Sequence, residues 1–190
     1  MEAKIKMNEK LKHMNKFERI DLLKAFNINT EDSILITNKS LINFPARKSS
    51  VRTFSDAANA DVPHYPVVAA VDVFNVIDDC LKNNLSCIVS ECIDPKDCCY
   101  AGVILMLSDK IIIEIAFGSV TVRDITHKFK VDKRFILDKI GFDTGYGELN
   151  QLLRTLLSIG FIDVSYEFSF YNKPIGYKKE RMIVWEVSAI

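Results

Sequence analysis

Two glutamates near the C-terminal end, Glu167 and Glu186, carry the clearest chemical possibility in this chain. Glu167 lies in the run Phe161 to Phe170, where Ile162, Val164, Tyr166, Phe168 and Phe170 alternate with Asp163, Ser165, Glu167 and Ser169. Successive side chains of a strand point to opposite faces, so the apolar set shares one face and the polar set the other. Glu186 sits amid Val184, Trp185 and Val187 in the returning run Arg181 to Ser188. A hairpin symmetric about Gly176 and Tyr177 sets Glu167 opposite Glu186, with Cβ atoms about 5 Å apart. Carboxylates that close repel unless a proton or a cation lies between them. Oxygen ligands of this kind suit Mg2+, which takes one or two carboxylates alongside substrate phosphates. A register different by one residue sends the two carboxylates to opposite faces, and that alternative stays open at this point.

A second candidate is the basic cluster Arg47, Lys48 and Arg52, which encloses Ser49 and Ser50. Guanidinium, ammonium and hydroxyl donors in one segment suit phosphate oxygens, although such a cluster in a loop is often simply solvated. The signatures G-x-S-x-G, H-E-x-x-H and G-x-x-x-x-G-K-[ST] are all missing, and His13, His64 and His127 stand in no local motif. The five cysteines, Cys80, Cys87, Cys92, Cys98 and Cys99, are odd in number, include an adjacent pair and form no C-x2-C spacing. Free thiols are therefore expected, with neither a disulfide framework nor a structural zinc.

Composition bounds the rest. Hydrophobic residues make up 48% and charged residues 26% of the 190, enough for a real core. With 25 basic against 25 acidic residues the net charge is zero, which argues against wholesale nucleic-acid binding. Gly102 to Leu107 is the longest apolar stretch, far short of the roughly 20 residues that span a bilayer. Met1-Glu2-Ala3-Lys4 leads into a polar segment without the apolar core of a secretory signal. A cytoplasmic protein with no membrane association is the expectation.

The elements that position these residues read as α+β. Phe17, Ile20, Leu22, Leu23 and Phe26 predict a helix over 8–26, and a short strand follows at Ser33 to Thr37. The polar stretch Asn38 to Pro66 reads as including a long loop. Asp72 is a good cap for a helix reaching Asn83, with Val73, Phe74, Ile77, Cys80 and Leu81 inward. Strands are expected at Leu85 to Ile93, Ala101 to Leu107 and Lys110 to Phe117, the last two forming a tight hairpin about Ser108 and Asp109. Two helices are then predicted, one through Phe135, Ile136 and Ile140 to Gly141. The other runs through Leu149, Leu152, Leu153, Leu156 and Leu157 to Gly160. The chain ends on the two strands that hold the glutamates, joined by a loop with Pro174 and Gly176.

Within this order stand Ile88-Val89-Ser90-Glu91-Cys92-Ile93, then Ala101-Gly102-Val103-Ile104, then Ile112-Ile113-Glu114-Ile115-Ala116-Phe117-Gly118-Ser119. Leu149 to Gly160, Asp163 to Phe168 and Ile183 to Val187 follow. From Phe44 to Val187 this sequence resembles the ATP-grasp nucleotide-binding fold, most closely the version in phosphoenolpyruvate synthase and pyruvate phosphate dikinase. The resemblance implies mostly antiparallel sheets with packed helices in two small lobes, approximately residues 1–100 and 101–190. It further implies Mg2+ and ATP as ligands, with an ATP-dependent ligase or phosphotransferase as the activity. Arg47 or Lys48 would meet the nucleotide phosphates, Glu91 and Ile93 would lie beside the adenine or ribose, and Glu167 and Glu186 would hold Mg2+ in a cleft that Arg47 or Lys48 borders. No glycine precedes Gly102, and Thr53 to Val62 offers alanines and aspartates where a phosphate-covering loop would fall. A non-catalytic α+β module that binds a ligand or a protein is the alternative.

Overall fold

The computed structural model describes residues 9–37, 48–54, 64–122, 125–126 and 130–190. Its contacts divide the chain into two compact units, residues 32–93 and residues 1–31 together with 94–190. The sequence reads as one ATP-grasp-like unit over 1–190 with lobes of approximately 1–100 and 101–190; the contacts separate units after Glu31 and again after Ile93. The N-terminal segment packs on the last strand of the C-terminal unit, a long-range pairing that has no local signal.

The unit of residues 32–93 is a four-stranded antiparallel sheet, ordered β1-β4-β2-β3. Its strands are β1 (Ser33–Ile36), β2 (Lys48–Phe54), β3 (His64–Ala69) and β4 (Ser86–Glu91). Strand β2 lies within the stretch read as including a long loop, and β3 begins at its end. Serines obscure the alternation there, yet Ser49, Val51 and Thr53 are all buried, because β4 pairs with β2 and supplies the backbone partners that make the segment a strand. Helix α2 (Val73–Lys82) buries Val73, Ile77 and Cys80 against Ile36, Val51, Cys87 and Val89. Phe74, expected on that inner face, is 54% exposed: the i, i+4, i+7 set turns inward and leaves the next residue on the flank.

The other unit carries a five-stranded antiparallel sheet, ordered β7-β6-β5-β8-β9. Its strands are β5 (Cys98–Met106), β6 (Lys110–Phe117), β7 (Lys133–Asp138), β8 (Val164–Ile175) and β9 (Glu180–Ala189). The expected β5–β6 hairpin is present and largely buried, and the Leu107 amide donates to the Lys110 carbonyl at its turn. The segment around Phe135 is a strand, where a helix was expected. Ile136 is 65% exposed while Phe135 and Leu137 pack toward the core, a period of two that pairs in register with β6. Helix α3 (Gly147–Ile159) ends at Gly160, whose φ of 78° is left-handed. Its buried Leu149, Leu152, Leu153 and Leu156 join Ile104, Ile113, Tyr166 and Phe168 in one core. Gly102 permits the closest approach inside this sheet, since a Cβ there would stand 2.5 Å from the Phe168 ring and 2.6 Å from the Glu114 carbonyl oxygen.

The predicted helix over 8–26 is interrupted. Residues 9–13 are helical, and helix α1 starts afresh at Lys16–Ala25. Asn15 forms a capping box with Glu18: its side chain accepts from the Glu18 amide at 3.0 Å, and its own amide donates to the Glu18 carboxylate at 2.7 Å. Two reciprocal bonds at this point make a helix start out of what the apolar spacing reads as helix interior. Beyond α1, buried Asn29 ties the N-terminal segment to the β8–β9 turn. Its side-chain amide donates to the carbonyls of Ile175 and Met182 at 3.0 and 2.7 Å, and its side-chain oxygen accepts from the Lys178 amide at 3.0 Å. Among the described residues no helix is long and apolar enough to cross a membrane.

Candidate functional site

Register decides whether the two glutamates meet. Glu167 of β8 is paired directly with Glu186 of β9, and directly paired residues share a face. The symmetric hairpin therefore holds at this point, though not along the whole pair: Phe168 faces Val184, and Ile175 faces Glu180. The slip between Glu167 and Phe168 leaves Trp185 as an extra residue, a β-bulge. The Trp185 indole nitrogen donates to the Ser169 hydroxyl at 2.9 Å, a bond the alternation alone does not suggest.

The same row runs on across the sheet. Glu167 pairs with Val103 of β5, Val103 with Glu114 of β6, and Glu114 with Arg134 of β7. Arg134 reaches the Glu114 carboxylate at 3.3 Å. One face thus carries Arg134, Glu114, Glu167 and Glu186 in line, on the side opposite Phe135, Ile113, Ile104 and Tyr166 in the core.

Two cations meet Glu186 in this row. Lys16 Nζ donates to its Oε2 at 3.1 Å, and Arg19 Nη1 donates to its Oε1 at 2.7 Å. Arg19 also donates to the Ser188 hydroxyl at 3.0 Å. The three charged side chains are 19–28% exposed, so this is a part-buried cluster rather than a loose surface pair. Burial by itself would raise the Glu186 carboxyl, but Lys16 and then Arg19, by charge and by hydrogen bond, more than offset it and hold it below the usual glutamate range. Lys16 and Arg19 were not singled out in the sequence. The Asn15-x-x-Glu18 cap starts the helix so that Lys16 and Arg19, three residues apart, share a face of its first turn, but it carries no signal for Glu186 as their partner.

The fit of Mg2+ to the glutamates can be judged on this geometry. Both oxygens of Glu186 already accept from side-chain cations, so a metal at Glu186 must first expel an ammonium or a guanidinium. As arranged here, the pair does not fit Mg2+. Among the described residues, no three of His, Cys, Asp and Glu come together in a metal-binding group either. No disulfide joins any of the five cysteines.

The remaining expected residues belong to the unit of residues 32–93. Lys48 opens β2 opposite Ala69, and Glu91 closes β4 opposite Ser49, so Lys48 and Glu91 stand at one end of the sheet. Glu91 is exposed and Ile93, just beyond the strand, is half-buried. Arg47 lies outside the described residues.

No protein-family model matches this sequence, and no curated protein sequence does. Solved structures do match. The macrocyclase MdnC of Microcystis aeruginosa, bound with precursor peptide MdnA, superposes on 95% of this chain with a TM-score of 0.56 at 14% identity. The D-alanine–D-alanine ligase of Helicobacter pylori matches over 93% with a TM-score of 0.52 at 14% identity. A RiPP-associated ATP-grasp ligase of Chryseobacterium gregarium, in complex with ADP and a leader and core peptide, matches over 95% with a TM-score of 0.50 at 9% identity. The chain has an ATP-grasp fold. It spans about half the length of these proteins, 53%, 50% and 52% of each. Within the ATP-grasp fold, the unit of residues 32–93 holds Lys48, Glu91 and Ile93, and the five-stranded unit holds the glutamate row.

Proposed function

We propose that this chain is the nucleotide-binding part of an ATP-dependent ligase of ATP-grasp type. What carries the reading is the match of nearly the whole chain to ligases of that fold, among them one whose structure holds ADP. In this reading Arg47 and Lys48 meet the phosphates, and Glu91 and Ile93 lie beside the adenine or ribose. Lys48 and Glu91 stand at one end of their sheet, which is compatible with one ligand touching both. Two of the similar proteins are described with a peptide, so the carboxyl group of a peptide or amino acid is the proposed acceptor. Its oxygen would attack the γ-phosphorus of ATP and ADP would leave, giving an acyl phosphate ready for an amine. Positioning and charge neutralisation carry such a step. The narrower likeness to phosphoenolpyruvate synthase and pyruvate phosphate dikinase rests on the sequence motifs alone, and a phosphotransferase activity is proposed on that basis only. Mg2+ in this reading arrives with the nucleotide, and the cytoplasm is the proposed compartment.

A non-catalytic module is the second reading. It is favoured by two observations: Thr53 to Val62 contains no glycine, and the Glu186 carboxylate is already taken up by cations. A thermal-shift titration with ATP, with and without Mg2+, separates the two. A ligand at a hundred times its dissociation constant adds about 2.7 kcal/mol to the folded state. Absence of any shift at millimolar ATP and Mg2+ would remove the nucleotide reading and leave the module.

A further inference from the structure

The glutamate row poses an electrostatic problem that the chain resolves with its own residues. Glu167 and Glu186 are directly paired across β8 and β9, at a separation where two ionised carboxylates need a cation nearby. Two cations are supplied, and both come from the first turns of α1. Lys16 is the first residue of that helix and Arg19 follows three later, so both point from the end of the helix that already carries positive potential. The capping box at Asn15 and Glu18 fixes where that end lies. Arg19 makes a second bond, to Ser188, which holds its guanidinium against β9. With Arg134 on Glu114, the row places three cations, Arg134, Lys16 and Arg19, beside three carboxylates, Glu114, Glu167 and Glu186.

We propose that Lys16 and Arg19 act as a built-in counter-ion clamp on Glu186, standing where the resemblance to ATP-grasp proteins puts a divalent metal. The carboxylate pair therefore docks helix α1 onto the sheet and is not a Mg2+ site. The metal's place rests on the ATP-grasp reading; the clamp itself does not. Mg2+ gives up its water reluctantly and needs near-octahedral oxygen ligands. To bind here it would have to detach two hydrogen-bonded cations from a carboxylate that is only 23% exposed. Metal binding and the docking of Lys16 and Arg19 thus exclude each other at Glu186.

The test uses Mn2+ as the probe, on the full chain without nucleotide, and reads the free-ion signal by electron paramagnetic resonance. Wild type should take up no stoichiometric Mn2+ through this pair, and Glu186→Gln should behave identically. The double variant Lys16→Gln/Arg19→Gln should gain one equivalent, with affinity raised about tenfold or more, a difference of roughly 1.4 kcal/mol. Adding Glu186→Gln to it should abolish that gain. A wild type that binds one Mn2+ and loses it in Glu186→Gln overturns the proposal, as does a double variant that is folded by circular dichroism and gains nothing. If the double variant does not fold, the comparison of wild type with Glu186→Gln decides by itself: uptake lost in the variant overturns the proposal, and equal absence of uptake upholds it. Binding of a fluorescent ATP analogue, measured separately with millimolar Mg2+, reports on the nucleotide reading, so its failure is distinguishable from failure of the clamp.

Discussion

Arg19 and Glu186 are 167 residues apart in sequence and 2.7 Å apart in space. Their contact ties helix α1 to the last strand, within the unit that groups residues 1–31 with 94–190. It also sets how the carboxylate behaves. A group held below its ordinary range in the folded state favours folding wherever it is ionised.

Glu186 accordingly predicts a pH dependence. Its contribution is complete above the unfolded value of about 4.3 and is lost as pH falls from there through the lower, folded value. At neutral pH Glu186→Gln should cost about 1.5–3 kcal/mol, the range for hydrogen bonds to charged groups. The urea midpoints of wild type and variant should converge as the buffer is taken below the glutamate range. A gap that stays constant with pH would show that the loss is not electrostatic.

Asn29→Ala should be among the more damaging substitutions outside the apolar core. It removes bonds to Ile175, Met182 and Lys178 at once and leaves buried backbone groups unpaired. Each unmet group costs about 1–3 kcal/mol, so a loss of at least 2 kcal/mol or so in urea unfolding is expected. A change of a few tenths would mean that the turn re-pairs without the side chain.

Gly102→Val should destabilise by about 1–3 kcal/mol through overpacking. Pairing it with Phe168→Leu should restore part of the loss and not all of it, because the added group also meets the backbone carbonyl of Glu114. Complete rescue in a double-mutant cycle would contradict the close approach of β5 to β6.

The thiols should separate by reactivity. Burial first, and then the neighbouring cysteine, pushes Cys87 up to about 12 and Cys98 up to about 11. Since the thiolate is the nucleophile, iodoacetamide at mildly alkaline pH should label the half-buried Cys92 and Cys99 before Cys80, Cys87 and Cys98. Peptide mass spectrometry at increasing times reads the order directly, and early modification of Cys87 would show that the core of its unit opens readily.

Patterns carried by neighbours in the chain were legible from the amino acids alone. Alternation in β8 put Tyr166 and Phe168 in the core and Glu167 on the other face, and the β-branched run at Ile111 to Ile115 marked β6. The leucine stripe and Gly160 marked α3 and its end. Three strands and a helix start did not follow from the local signal: the serine-rich β2 and the start of β3 in a stretch read as including a long loop, the short run Phe135-Ile136-Leu137 of β7, and the apolar spacing that runs through Asn15. In each case a long-range backbone ladder or a reciprocal cap outweighed propensity.

The facing of Glu167 and Glu186 followed from the sequence because a hairpin relates two strands through one turn, and counting from that turn nearly suffices. What occupies Glu186 did not follow. Lys16 and Arg19 were not singled out, and no local rule links them to a strand at the far end of the chain. Coulombic pairing acts through space with no sequence period, so only the tertiary packing of α1 along β9 decided that these two cations meet the carboxylate.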